Sequence, residues 1–274
     1  MLLKGIVGYM DIVIYDIRNS IKKNVFKWFF WCVFLLVLSV LSIANLISEN
    51  QVNSSLDLWF YLFIGVRDYT SGIIQFPPFS WLLIQAFLAF LIGDYLYNEL
   101  KENSFYTLLR VEKRFDWFLA KVIWLIFTVI LFYITILICL ILSSFYLDLD
   151  INMWGDYSST VFKKHLVLSI NPLTFFALSF FSCLITSLVI SLVQVMLTML
   201  IKPIYSYIFV ICLLLASIYV PSPILLGRYM MVIRYIELFS NGFFEGTYII
   251  FCEILLFFFV LISGSIYFKR MDLI

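Results

Sequence analysis

Charged side chains are scarce in this sequence. Asp, Glu, Lys and Arg make up 13% of the 274 residues, whereas they make up about 25% of an ordinary soluble domain. Hydrophobic residues make up 64%, and the mean hydropathy is +1.06. Such a composition is unsuited to a folded surface in water. It therefore predicts an integral membrane protein.

Patterns typical of catalytic and metal sites are also missing. The single histidine, His165, lies beside Lys163 and Lys164, with no matching nucleophile or acidic cluster. The cysteines lie in apolar segments without CxxC or Cys/His spacing, and we interpret them as small buried hydrophobic residues: Cys32, Cys139, Cys183, Cys212 and Cys252. No phosphate-binding loop of the form GxxxxGK followed by Ser or Thr occurs. We therefore expect no enzyme activity, no metal site and no cofactor bound by this chain.

Long apolar segments take up most of the sequence. A helix needs roughly 20 apolar residues to cross the hydrocarbon core of a membrane. Six segments are candidates, at about 28–47, 79–95, 117–147, 172–200, 204–220 and 248–268. All six prolines fall at or beside the ends of these segments, where a missing backbone N–H is tolerated. The sequence thus predicts an all-α fold in which residues 28–274 form a domain of six transmembrane helices.

Basic residues are distributed unequally between the two sides of this predicted domain. With the N-terminus inside, the cytoplasmic side holds Lys4, Arg18, Lys22, Lys23, Lys27, Lys101, Arg110, Lys113, Arg114, Lys121, Lys202, Lys269 and Arg270. The outer side holds Arg67, Lys163, Lys164, Arg228 and Arg234. Since cytoplasmic segments retain positive charge, we expect a multi-pass protein of the cell membrane with both termini cytoplasmic. The net charge of +1 and the absence of a basic stripe favour membrane lipid, and no nucleic acid, as a partner.

The N-terminal residues, 1–27, predict an amphipathic helix. Apolar side chains recur at helical spacing, at Met10, Val13, Ile14, Ile17 and Ile21. Polar side chains lie mostly on the other side of this helix, at Asp11, Arg18, Asn19, Lys22 and Lys23. A helix with this pattern lies along a membrane surface. The alternative, a basic flank that only sets the topology, explains the charge but not the periodicity.

The loop between the second and third predicted spans is the most charged stretch of the chain. Charged residues surround a small apolar face in this loop. The charged residues are Glu99, Arg110, Lys113 and Arg114, and the apolar face consists of Phe105, Leu108 and Leu109. A loop that only connects two spans does not need an apolar face. This loop therefore indicates a short helix that a partner protein covers.

The same loop resembles the cytoplasmic coupling loop of type-2 ABC transporter permeases. The shared features are an acidic residue after the second span, a Leu-Leu pair, a basic pair and a lysine at the start of the third span. Here these are Glu99, Leu108–Leu109, Lys113–Arg114 and Lys121. The overall layout, with a surface helix, six spans and a short basic tail, is similar as well.

The resemblance implies the permease subunit of a bacterial ABC exporter that moves an amphipathic or hydrophobic peptide, lipid or drug-like molecule. In that family the coupling helix docks on a separate cytoplasmic ABC ATPase dimer, which holds ATP and Mg. Two permease subunits pair in the membrane, here an identical copy or a paralogue. The residues expected to contact the ATPase are Glu99, Phe105, Leu108, Leu109, Arg110, Lys113 and Arg114.

Residues 221–247 are too apolar for an ordinary exposed loop. The pairs Asn241-Gly242 and Glu245-Gly246 are turn signals. We expect one or two short helices that re-enter the outer leaflet before the sixth span, as the resemblance also implies. A simple interfacial hairpin is the alternative.

Four polar residues within the predicted spans are candidates for a substrate path or for a structural role: Asp94, Glu253, Gln85 and Gln194. A buried acid in a membrane is costly enough to suggest a function. Asp94 and Glu253 lie near span ends, however, where they could reach water or pair with a basic residue. Gln85 and Gln194 could form hydrogen bonds between helices.

Two other functions fit part of the pattern. A non-transporting membrane protein, such as an immunity factor or an assembly partner, would bind its target without an ATPase. A secondary carrier would need ionisable residues such as Asp94 and Glu253 for coupling. We prefer the exporter subunit because it alone accounts for the surface helix, the coupling loop and the basic tail together.

Overall fold

The chain folds into a bundle of α-helices in the computed structural model, which describes residues 2–48, 54–66, 78–102, 114–146, 149, 153–162, 171–220, 222, 225–234 and 243–270. Within these ranges there is no β-strand, so the predicted all-α fold is confirmed. The α-helices are α1 (Leu2–Lys23), α2 (Val25–Ser48), α3 (Ser55–Phe63), α4 (Phe79–Glu102), α5 (Arg114–Tyr146), α6 (Asp156–Val161), α7 (Pro172–Leu200), α8 (Pro203–Tyr219) and α9 (Phe243–Arg270). A 3-10 helix, Leu226–Met230, lies between α8 and α9.

Three of the described helices are long and apolar enough to cross a membrane: Val25–Ser48, Trp117–Tyr146 and Pro172–Leu200. Shorter apolar helical segments lie at Phe79–Tyr95, Pro203–Tyr219 and Phe251–Tyr267. Each predicted span thus coincides with one helix. The first and last of the shorter segments belong to longer helices, α4 with 24 residues and α9 with 28. Helix α8 has 17 residues and rises about 26 Å at about 1.5 Å per residue, a little less than a hydrocarbon core of about 30 Å. Six crossings therefore stay a prediction, while the three long helices support a membrane protein.

Helix α7 lies at the centre of the bundle and packs against α4, α5, α8 and α9. It begins at Asn171, whose side-chain oxygen accepts a hydrogen bond from the backbone N–H of Leu173 at 3.1 Å. Many of its buried residues carry small hydroxyl side chains: Ser179, Ser182, Thr186, Ser187, Ser191 and Thr198. Small residues let neighbouring helices approach closely and supply hydrogen bonds between them. The polar contacts of the bundle are therefore concentrated on α7.

Helix α1 forms as the periodicity predicts, and the residues of its predicted apolar face are divided between buried and exposed positions. It packs mainly on α5. Val13, Asp16 and Ser20 are buried, whereas Ile14 is 58% exposed and Ile21 is 40% exposed. The buried face contains a charged residue as well as apolar ones because the Asp16 carboxylate pairs with Lys121 of α5. The position of α1 along a membrane surface stays a prediction.

Short helices cover the end of the bundle that lies opposite the α4–α5 loop. Helix α3, which the periodicity of the sequence does not reveal, is almost completely buried. Ser54 caps it by accepting a hydrogen bond from the backbone N–H of Leu56 at 3.3 Å. Aromatic rings of α3 pack against rings of α7 and of the segment around α6. The ring centroids of Phe60 and Phe175, for example, lie 5.6 Å apart. This layer is held by aromatic packing.

Part of the segment 221–247 packs against the end of α3. The backbone N–H of Ile233 donates to the carbonyl oxygen of Ile64 at 3.0 Å. Gly65 has a φ angle of +73°, and a Cβ atom there would lie 2.3 Å from Cβ of Met231. Only glycine fits this close approach. Residues 235–242 lie outside the described part of the chain, so re-entry of the segment into the membrane stays a prediction.

Candidate functional site

A buried ion pair joins α1 to the first turns of α5. Nζ of Lys121 lies 2.8 Å from Oδ2 of Asp16, and both side chains are buried. The Lys121 ammonium also lies 5.1 Å from the ring centroid of Trp117. The hydroxyl of Tyr95, in α4, donates to the backbone carbonyl of Asp16 at 3.1 Å. Loss of either partner would leave an uncompensated charge out of water, so the pair fixes α1 to α5.

A second ion pair joins α2 to α4. The ammonium of Lys27 donates to Oδ2 of Asp94, and both side chains are partly exposed. Lys27 also lies 5.3 Å from the ring centroid of Phe90. Asp94, predicted as a candidate for a substrate path, is thus paired with a basic residue near the end of its span.

These two ion pairs flank the α4–α5 loop. Most of the residues expected to contact an ATPase lie outside the described residues: Phe105, Leu108, Leu109, Arg110 and Lys113. Glu99 lies in α4 and Arg114 begins α5, and the structure describes the backbone of both. In the chain, Asp94 precedes the loop and Lys121 follows it. The N-terminal segment is therefore tied to the helix on each side of the loop.

A cavity of about 490 Å³ lies between α4 and α8, next to Asp94. Its walls include Phe90 of α4 and, from α8, Ile204, Tyr207 and Ile208. Among its described lining residues Asp94 is the charged one. Small-molecule sites have volumes of about 300–1,000 Å³ and mostly apolar walls. The cavity thus has the size and chemistry to hold an amphipathic molecule.

Gln85 belongs to a buried cluster of polar side chains that joins α4, α5 and α7. Its Nε2 donates to the hydroxyl of Tyr133 at 3.1 Å, and Ser187 Oγ donates to its Oε1 at 3.3 Å. The Tyr133 hydroxyl lies 2.6 Å from Ser187 Oγ and donates to the carbonyl of Cys183 at 3.1 Å. Gln85, Tyr133 and Ser187 therefore form hydrogen bonds that connect three helices.

Gln194 makes a further contact between α7 and α4. Its Nε2 donates to the backbone carbonyl of Ala89 at 2.7 Å. A Cβ atom at Gly93 would lie 2.9 Å from the same Nε2, so α4 approaches α7 closely at this level. Gln194 therefore helps to hold α4, one wall of the cavity, against the central helix.

Glu253 is buried between α9, α7 and the 3-10 helix. Its Oε1 lies 2.5 Å from Oγ1 of Thr186, and its Oε2 lies 3.4 Å from Oγ of Ser182. Ser182 Oγ also donates to the carbonyl of Tyr229 at 3.1 Å. Neither of the two ion pairs given above includes Glu253. This acid thus contacts hydroxyl groups inside the bundle.

Arg234 is buried at the opposite end of the bundle from the ion pairs and donates to three backbone carbonyls. Its Nη1 and Nη2 bond the carbonyls of Ser217 and Ile218 at 2.6 and 2.9 Å, and its Nε bonds that of Val66 at 2.9 Å. Ser217 and Ile218 lie in the last turn of α8, where unsatisfied carbonyls carry partial negative charge. Arg234 therefore joins three separate segments.

Asp57 fixes α6 to α3 in the same layer. Its Oδ1 accepts a hydrogen bond from the backbone N–H of Ser158 at 3.1 Å. Burial raises the pKa of Asp57, while the hydrogen bonds from Ser158 act in the opposite direction. A protonated Asp57 is therefore better tolerated in the folded protein than in water.

Several of these polar contacts are not foreseen from the sequence. Asp16 shares a helical face with Val13 and Ile17, and an acid at such a position is the signal that could have identified it. Tyr133 and Arg234 are a hydroxyl within a span and a cation within an apolar segment. Their partners come from distant parts of the chain, so spacing alone could not identify the contacts.

Within the described residues, no group of three or more His, Cys, Asp or Glu side chains is placed to hold a metal ion.

Comparison with known proteins adds no relative. No family model, no curated protein and no solved structure matches this sequence.

Proposed function

We propose that this chain is the membrane-spanning permease subunit of an ABC exporter for an amphipathic or hydrophobic peptide, lipid or drug-like molecule. A separate cytoplasmic ATPase dimer supplies the energy, and a second copy or a paralogue completes the membrane part. The observation that carries the proposal is the pair of ionic contacts, Asp16–Lys121 and Lys27–Asp94, on the two sides of the α4–α5 loop.

These contacts provide a route by which movement of the loop reaches the bundle. A partner that moves the loop acts directly on the end of α4 and the start of α5. Asp94 passes the movement of α4 to Lys27 of α2, and Lys121 passes the movement of α5 to Asp16 of α1. The buried pair Asp16–Lys121 resists separation because each partner alone is unfavourable out of water. The helices around the loop therefore move as a rigid body.

The cavity beside Asp94 supports the substrate class. It lies between α4, which the loop would move directly, and α8, which begins after the break at Ile201–Lys202. Apolar walls bind an apolar body, and the charged side chain at Asp94 suits a polar end. Movement of α4 relative to α8 would change the shape of this cavity and release its contents.

Substitution in the loop tests the proposal. We expect the double variant Leu108→Asp/Leu109→Asp to lose its ATPase partner while it still inserts into the membrane, because two charges disrupt an apolar contact face. The readout is the amount of ATPase recovered with the tagged chain from its native membrane. The variant Asn103→Asp/Ser104→Asp adds the same charge to the same loop outside the apolar face and should retain the ATPase. Equal recovery with all three chains would contradict the proposal.

A proton-coupled secondary carrier is the second candidate, and the buried Glu253 favours it. The two candidates differ in their energy source. A carrier would transport substrate in vesicles that contain no ATPase and would stop when the proton gradient is dissipated. The exporter requires ATP and its partner under the same conditions.

A further inference from the structure

The hydroxyl of Thr186, next to Glu253, has one hydrogen and two oxygen neighbours. Oγ1 of Thr186 donates to the backbone carbonyl of Ser182, one turn earlier, at 2.8 Å. A carbonyl oxygen only accepts, and a hydroxyl carries one hydrogen. One hydrogen cannot serve both the contact with the Ser182 carbonyl and the contact of 2.5 Å between Oγ1 of Thr186 and Oε1 of Glu253, so both are satisfied only when Glu253 carries a hydrogen and donates it to Oγ1.

The second hydroxyl near Glu253 is engaged as well. Oγ of Ser182 lies 3.1 Å from the carbonyl of Tyr229 and 3.4 Å from Oε2 of Glu253. Its single hydrogen serves the shorter contact, to an oxygen that cannot donate. An ionised Glu253 would thus face two hydroxyl oxygens, Oγ1 of Thr186 and Oγ of Ser182, whose hydrogens each have a carbonyl acceptor as well.

The electrostatic surroundings of Glu253 favour the neutral carboxyl group too. Among the residues that the structure describes, the ionisable groups that interact with it are the Cys183 thiol of α7 and the Tyr229 hydroxyl of the 3-10 helix, and neither is a cation. Arg228, also in the 3-10 helix, lies beside Tyr229. Lys121 of α5 is paired with Asp16.

Lys121 is also remote from Glu253 along α9. Helix α5 approaches α9 at Gly264, where an added Cβ atom would lie 3.0 Å from the ring of Phe118. Gly264 stands roughly 16 Å along the helix from Glu253 at about 1.5 Å per residue. The one lysine of α5 near this contact therefore does not neutralise Glu253.

We propose that Glu253 is a proton-binding site. In the packed bundle its neutral carboxyl group donates to Oγ1 of Thr186, whose hydroxyl donates to the carbonyl of Ser182. A neutral acid costs far less than a carboxylate in an apolar interior. The proton leaves only when water reaches the space between α9 and α7, so protonation of Glu253 and contact between these helices depend on each other. This inference does not rest on the proposed transport function.

Infrared spectroscopy tests the protonation state directly. The purified chain is placed in phosphatidylcholine vesicles at neutral pH in buffer without Na⁺, and the spectrum of the Glu253→Gln variant is subtracted from that of the wild type. We expect the difference to contain the carbonyl band of a neutral carboxyl group, with a shift in deuterated water. Asp94→Asn is the matched control, because it removes a carboxylate that is paired with Lys27. Its difference spectrum should contain carboxylate bands.

Either of two results would overturn the proposal. Carboxylate bands in the Glu253→Gln difference would show that Glu253 is ionised. If those bands also shifted on addition of Na⁺, the site would bind a monovalent metal cation instead of a proton. Glutamine keeps the neutral charge and a hydrogen donor, so this variant should fold. Thr186→Val gives a second readout, because loss of the acceptor should shift the neutral-carboxyl band, and an unchanged band would contradict the donor–acceptor pair.

Discussion

At the scale of single residues, Asp16 and Lys121 hold opposite charges in a place that water does not reach. We expect Asp16→Ala or Lys121→Ala to lower the free energy of unfolding by about 3–5 kcal/mol, since each leaves one buried charge without a partner. The measurement is thermal or denaturant unfolding of the purified chain in mild detergent. Arg18→Ala, at an exposed position of the same helix, is the control and should change it by less than about 0.5 kcal/mol.

The double variant Asp16→Leu/Lys121→Met separates the charge from the packing. Both charges are removed together, so no unpaired charge remains, and apolar replacements of a buried pair are often neutral. We expect this variant to be more stable than either single alanine variant. A loss equal to the sum of the two single losses would show that the charges do not interact.

The hydroxyl of Tyr133 is the centre of the cluster with Gln85 and Ser187. Tyr133→Phe removes that hydroxyl and leaves the ring in place. We expect a loss of about 1 kcal/mol in unfolding free energy, the usual size of a hydrogen bond between membrane helices. Tyr205→Phe is the control, because Tyr205 is exposed. Equal effects of the two substitutions would exclude a stabilising role for the cluster.

Asp57 gives a pH dependence whose sign follows from its burial. Burial raises its pKa, so the folded protein binds this proton more tightly than the unfolded chain does. The resulting stability is fully present below the unfolded value of about 4 and is lost as the pH rises through the folded value. As the pH rises from about 4, the melting temperature should therefore fall less in Asp57→Asn than in the wild type. Parallel curves for the two proteins would contradict this account.

At the scale of helices, Arg234 joins the end of α8, the segment after α3 and the turn after the 3-10 helix. Lysine keeps the charge but lacks the planar set of donors that reaches three carbonyls. We expect Arg234→Lys to lower the unfolding free energy by about 2 kcal/mol, since bonds to a charged group are lost. Arg18→Lys should leave it unchanged. A wild-type melting curve for Arg234→Lys would show that the three contacts contribute little.

The helices that the sequence predicts well are those with long apolar runs. The segments at 28–47, 172–200 and 204–220 coincide with α2, α7 and α8, because prolines and charges mark their ends. Helix α3 could not be foreseen in the same way. Its apolar run is short and shows no clear helical period, so packing against α7 and α5 decides its structure.

The periodicity of α1 predicted a helix but did not show that Asp16 is among its buried residues. Hydrophobic spacing cannot reveal that Asp16 pairs with Lys121, since the partner is far away in the chain. The same reason applies to Glu253, whose neighbours Ser182 and Thr186 come from α7. In this chain most helices could be predicted from the sequence, whereas the polar contacts between them could be identified only in the structure.

At the scale of the whole molecule, different kinds of contact hold the two ends of the bundle. The ion pairs of Asp16 and Asp94 connect the helices beside the loop, while Arg234 and Asp57 hold the short helices together. This division fits a protein that receives movement at one end and changes the cavity between α4 and α8. In the function that we propose, a separate ATPase would supply this movement.

The most direct measurement is to purify the tagged chain from its native membrane in mild detergent and to identify the co-purifying proteins by mass spectrometry. The account predicts a stoichiometric polypeptide that carries a GxxxxGK phosphate-binding loop. Recovery of the chain alone, or with a membrane protein that has no such loop, would contradict the exporter function.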